Sequence, residues 1–152
     1  MRLATRMVRL ELELKNVPRH NDGRLLVSDV LRWAREHPES AWYKRLRFDD
    51  DSALAEEYRK VLVRNVLQNI DIRVEMPGPD DRLRSISVTR FVPGVPVDGE
   101  RGYHEIKAVL ADPGLRDEML RQARVEYLTF RHKYEHLKEL ADLFAVGNAI
   151  FA

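Results

Sequence analysis

The chain has 152 residues, enough for one domain with its own core, and a 44% hydrophobic fraction that is ordinary for a water-soluble protein. Its 26 Lys and Arg nearly cancel its 25 Asp and Glu, leaving a formal charge of +1 and no bulk attraction to nucleic acid or to an anionic membrane. The absence of cysteine excludes disulfides, thiolate metal sites and cysteine nucleophiles, and no apolar run approaches the roughly 20 residues of a membrane span.

In chain order, residues 8–15 alternate between aliphatic and charged side chains, which predicts a half-buried strand near 8–14. A turn-rich segment follows, with Pro18, Asn21, Asp22 and Gly23. Ser28 offers an N-cap for a short helix that Pro38 stops. A second short helix between Glu39 and Phe48 buries Trp42 and Leu46. The run Asp49-Asp50-Asp51-Ser52 supplies capping oxygens for a longer helix to about Asn69, whose predicted buried face is Leu54, Tyr58, Val61, Leu62, Val66 and Leu67. The period then drops to two, and the turn Pro77-Gly78-Pro79-Asp80-Asp81 predicts a hairpin with strands near 70–76 and 85–92.

Residues 93–102 contain Pro93, Gly94, Pro96, Gly99 and Gly102 and are expected to form a flexible loop. A short helix from His104 to Leu110 follows. Asp112-Pro113 is an N-cap with proline at the first helical position, opening a long helix expected to run from about 113 to 145, with Gly147 just past its end. Its apolar residues recur every seven, as Ala123, Phe130, Leu137, Phe144 and as Tyr127, Tyr134, Ala141. The resulting fold class is α+β: a small antiparallel sheet packed by three to four helices, in a single domain. Within it, 1–24 is an N-terminal strand and loop, 25–92 helices plus hairpin, and 103–152 a C-terminal helical region.

His132-Lys133-Tyr134-Glu135-His136 spells H-x-x-E-H, a zinc-protease signature, but only 16 residues follow it and no distant third ligand is evident. A hydrated helix face explains it better, as helix capping explains Asp49 to Asp51 better than a cation site. No nucleophile elbow, phosphate loop or dinucleotide turn occurs, so the reading is non-enzymatic, with no metal and no cofactor. The order helix, helix, helix, hairpin across 28–92 is that of a winged helix-turn-helix, whose third helix enters the major groove. Arg59, Lys60 and Arg64 on that helix, with Arg82 and Arg84 at the wing, are the candidate nucleic-acid contacts, although Glu56, Glu57, Asp80 and Asp81 stand beside them.

The segment Phe130-Arg131-His132-Lys133-Tyr134-Glu135-His136-Leu137-Lys138-Glu139-Leu140-Ala141-Asp142-Leu143-Phe144-Ala145 resembles the C-terminal signature of a family of small bacteriophage and prophage proteins. Phe48-Asp49-Asp50-Asp51 with Glu57-Tyr58-Arg59, and Gly102-Tyr103 leading to Asp112-Pro113, are similar to its upstream pattern. The resemblance implies an accessory role, in the cytoplasm of a bacterial host, on DNA or on proteins that act on DNA. The alternative is a structural or scaffolding component of a phage particle, held by the strand at 8–14 and the tail Ile150-Phe151. The expected partners are nucleic acid, a phage or host protein, and a second copy. A symmetric homodimer is expected through Leu10, Leu12, Ala123, Tyr127, Phe130, Tyr134, Leu137 and Phe144.

Overall fold

A computed structural model describes residues 2–96 and 99–152; Val97 and Asp98, in the loop expected to be flexible, lie outside the described residues. The fold class is α+β, with seven α-helices and two small antiparallel sheets of two strands among the described residues. The chain divides into two compact units, 1–106 and 107–152.

The N-terminal segment is a helix, α1 (Arg2–Glu13), continued by a 3-10 turn (Leu14–Asn16), and this overturns the strand expected at 8–14. Alternation in a Leu/Glu/Arg segment is ambiguous, because every second alternating position also satisfies the i, i+4 spacing of a helix. Leu10, Leu14 and Val17 take that spacing and are buried, while Val8 and Leu12 point to water. Leucine, arginine and glutamate are also better helix formers than strand formers.

Two contacts then fix α1 on α3 (Ala41–Leu46). The Trp42 indole donates to the Leu10 carbonyl at 2.9 Å, and the Glu13 carboxylate accepts the amides of Ala41 and Trp42 at 2.9 and 3.2 Å. Six residues are too few to hold a helix by propensity, so this distant carboxylate and the Ser40 hydroxyl, which accepts from the Tyr43 amide, do the capping. Glu13→Ala should lower the stability of this unit by about 1–2 kcal/mol in urea denaturation followed by tryptophan fluorescence, with Glu13→Gln losing less.

Helix α2 (Val27–Glu36) begins one residue before the expected cap. Ser28 sits inside its first turn, donating its amide (3.0 Å) and hydroxyl (2.9 Å) to the Glu100 carboxylate. Arg24, itself buried, donates to the Val95 carbonyl at 2.8 Å, and the Gly94 amide donates to the Gly102 carbonyl at 2.8 Å. The described ends of the 93–102 loop are thus tied to the body.

Helix α4 (Ala53–Gln68) is capped by Ser52 and packs Val63, Val66 and Leu67 against Val30, Leu31 and Ala34 of α2. Strands β1 (Asp71–Pro77) and β2 (Leu83–Thr89) form the expected hairpin, in register from Asp71 opposite Thr89 to Pro77 opposite Leu83.

The strand expected to reach residue 92 breaks at Arg90 and resumes as β3 (Phe91–Pro93), which pairs with β4 (Tyr103–Glu105). The one three-stranded sheet is therefore two two-stranded ones, and His104 lies in β4 instead of opening a helix. Arg90 holds the junction: its guanidinium bonds Glu105 at 2.9 and 3.0 Å and Glu11 of α1 at 2.7 Å. The Glu105 hydrogen bond is the main reason its pKa lies above the ordinary arginine value, against burial.

Helix α5 (Ile106–Ala111) leads into the second unit. The long helix, α6 (Pro113–Tyr134), starts with the expected Asp112 cap, whose side chain accepts from the Leu115 amide at 3.0 Å. It ends at Tyr134, short of the expected 145. After a 3-10 turn (Lys138–Leu140), α7 (Ala141–Ile150) folds back beside it. A continuous helix would leave the whole aromatic seam in water. Folding back brings Phe130 to 5.8 Å from Phe144 and stacks Tyr127 on Phe151 at 5.2 Å. Gly147, expected beyond the helix, is instead buried within α7.

Candidate interaction site on the fourth helix

Arg59, the centre of the expected nucleic-acid face, is only 2% exposed and faces the protein interior. Its Nε donates to the Leu46 carbonyl at 3.2 Å and its Nη2 to the Arg47 carbonyl at 3.0 Å and to the Asp50 carbonyl, while Nη1 meets Glu56 at 3.0 Å. The guanidinium also lies 4.8 Å from the Phe48 ring centre, with Arg35 at 4.9 Å. These acceptors are the C-terminal carbonyls of α3 and the turn beyond it, where Arg47 adopts a left-handed φ of 53°. Arg59 therefore fixes the angle between α3 and α4 and is unavailable to a phosphate. Burial tends to raise the Glu56 carboxyl, but hydrogen bonds from Arg35 and Arg59 overcome it and hold its pKa below the usual range.

The other expected contacts are dispersed. Lys60 pairs with Glu57 at 2.7 Å; Arg82 and Arg84 share Asp80, at 3.9 and 3.3 Å. Arg64 is exposed near the Tyr103 phenol, whose pKa burial raises against the opposing charges of Arg64 and Arg101. No row of free cations remains from this set, because each charge but Arg64 is met by an acid or a carbonyl.

What the helix does present is apolar. Leu54, Tyr58 and Val61, expected in the core, are 82%, 63% and 44% exposed, and their spacing of four and three places them in one line with Asn65. The buried stripe of the helix is Arg59, Val63, Val66 and Leu67, with buried Ile70 following just past its end. That stripe was readable in the sequence, since the 63, 66, 67, 70 pattern extends backward by one turn to Arg59. The other faces were missed because both lines of α4 carry aliphatic residues.

The expected homodimer contacts fare unevenly. Leu10 and Phe144 are buried within the chain, so they present no surface to a second copy. The Tyr127 hydroxyl is held by the Phe144 carbonyl (3.0 Å) and Asn148 (2.7 Å), while Tyr134 is half-buried and tilts on Phe130 at 5.0 Å. Ala123 is half-buried too, and Leu12, Phe130 and Leu137 are exposed. His132 and His136 no longer share a helix face, because α6 stops between them. Among the described residues no group of three His, Asp or Glu stands close enough to hold a metal ion. Asp50 accepts the Ser52 amide at 2.9 Å, a bond that with its Ser52 hydroxyl contact and Arg59 lowers its pKa.

Among the described residues no helix is long and apolar enough to cross a membrane. These features define an α+β protein with an exposed apolar line on an inner-braced helix. Compared with known proteins, the chain matches no family model, no curated protein and no solved structure.

Proposed function

We propose that the chain is a non-enzymatic phage or prophage accessory protein that acts in the bacterial host cytoplasm by docking α4 on a protein that handles DNA. One observation carries this: Leu54, Tyr58 and Val61 face outward on a helix whose central arginine is turned inward. Such a line suits an apolar groove in another protein, with exposed aliphatic and tyrosine anchors at helical spacing, better than it suits a phosphate backbone. The helix order and the resemblance to phage proteins support the DNA-linked setting. The particle-component reading loses the strand at 8–14 and rests on the tail Ile150-Phe151 alone. Two copies form the working unit in this proposal.

A photo-crosslinking residue at position 58 tests it in expressing cells. The expected result is an adduct with a DNA-handling protein that resists nuclease and disappears with Leu54→Glu. A nuclease-sensitive adduct would replace protein docking with direct nucleic-acid contact. An adduct indifferent to Leu54→Glu would show that the line is not the contact.

A further inference from the structure

The β1–β2 ladder has no third strand on either edge. The Arg90 amide donates to the Ile70 carbonyl and the Gly78 amide to the Arg82 carbonyl, both at 2.8 Å, so the even-numbered pairs between them exchange the ladder bonds. The odd-numbered residues therefore aim their backbone groups outward: Asp71, Arg73, Glu75 and Pro77 from β1, and Leu83, Ser85, Ser87 and Thr89 from β2. Among the described residues none of these outward groups has a backbone partner.

The two edges differ. That of β1 ends on Pro77, which has no amide, and bears Asp71, Arg73 and Glu75, the kind of charge that keeps natural edges from pairing. The outward residues of β2 include no proline and no charge, and every residue of β2 but Val88 is exposed. A lone two-stranded ladder is marginal in water, and a further strand is what stabilises one.

Resting on the reading that two copies form the working unit, we infer that β2 of a second copy supplies this strand, antiparallel about a two-fold axis through Ile86. That axis matches the whole of β2 with itself. Ser85 falls opposite the partner's Ser87 and Leu83 opposite the partner's Thr89, so each outward amide meets a carbonyl of the other copy. Moving the axis to Ser85 or Ser87 leaves strand ends unmatched. Ile86, 39% exposed, then meets its own counterpart in a closely spaced pair without ladder bonds. Arg84 falls opposite the partner's Val88, clear of its own copy. Just beyond the strand, Arg82 comes level with the partner's Arg90; Asp80 lies 3.9 Å from the first, and Glu11 and Glu105 hold the second. A strand from a different protein is selected through pockets for its alternate side chains, and the small, exposed Ser85 and Ser87 build none.

Light scattering of the full chain from low to high micromolar concentration should give twice 17.8 kDa. Ser87→Pro removes an outward amide that the β1 ladder does not use, and Ile86→Lys sets two ammonium groups directly opposite each other. Each should keep the original circular dichroism and weaken association by at least about tenfold. Leu54→Glu, on α4, should leave the dimer intact. Since the chain has no cysteine, Ile86→Cys supplies a single thiol that should link two copies under oxidised glutathione, because such pairs stand about 4.5 Å apart, within disulfide reach. Ser85→Cys, whose counterpart is Ser87 and not itself, should stay unlinked. A monomeric mass at high micromolar concentration would sink both the dimer and its edge. A dimer that survives Ser87→Pro and Ile86→Lys and leaves Ile86→Cys unlinked would sink the edge alone. A photo-crosslinking residue at position 85 that captures a different protein in expressing cells, and never a second copy, would give the edge to a strand from elsewhere and overturn the pairing.

Discussion

Arg59→Ala should lower the stability of the 1–106 unit by about 3–5 kcal/mol, the range for removing one partner of a buried, hydrogen-bonded charge. The truncation leaves the Leu46, Arg47 and Asp50 carbonyls without their donor, removes the ion pair to Glu56 and takes the cation from the Phe48 ring. It also opens a cavity where a fully buried side chain stood. Arg59→Lys should recover only part of the loss, because one ammonium cannot reproduce donors fanned over three carbonyls and a carboxylate. Arg64→Ala, on the exposed side of the same helix, should change stability by less than about 0.5 kcal/mol. Urea denaturation followed by tryptophan fluorescence separates these outcomes, since Trp33 and Trp42 both lie in this unit. An Arg59→Ala protein as stable as Arg64→Ala would remove the arginine from its structural role and return it to the surface.

That comparison also bears on function. An arginine chosen as a nucleic-acid contact would give a loss of binding on mutation for the wrong reason, through a misplaced α4. Conclusions about Leu54, Tyr58 and Val61 therefore need variants that leave Arg59 in place. Because the bracing of α3 against α4 comes from inside, the outer line can be changed without loosening the helix that displays it.

The features legible in the sequence are those set by local chemistry. Asp112-Pro113 and Ser52 cap the helices they were expected to cap, and the Pro77–Asp81 turn joins the expected strands with Asp81 at a left-handed φ of 57°. Features set by distant partners were hidden. The 8–15 alternation fits both periods; helix propensity leans the segment one way, and Trp42 and the α3 amides across from Leu10 and Glu13 fix it as a helix. The break after Tyr134 has no proline or glycine to announce it; it follows from the aromatic seam closing on itself. The interaction line on α4 was misread for a related reason: aliphatic spacing shows that a face is apolar, and not whether this chain or another one covers it.

The hairpin closure makes its own sharp prediction at Gly147. In a solvent-exposed helix, glycine to alanine gains about 1 kcal/mol of propensity. Here a Cβ would stand 2.5 Å from Cζ and 2.6 Å from Oη of Tyr127. The ring cannot swing aside freely, because its hydroxyl donates toward the Phe144 carbonyl and Asn148 and its face stacks on Phe151. Gly147→Ala should therefore destabilise the α6–α7 packing by about 1–3 kcal/mol despite the propensity gain, the usual range for overpacking. Tyr127→Ala alone should also destabilise, by removing the ring and its hydrogen bonds. In the Tyr127→Ala background, however, Gly147→Ala should become neutral or slightly stabilising, since the clash is gone and only the propensity term is left. Hydrogen exchange of the α7 amides, at one fixed protein concentration for all four proteins, reads this cycle. If Gly147→Ala protects α7 as well in the presence of Tyr127 as in its absence, the two helices do not close on that ring.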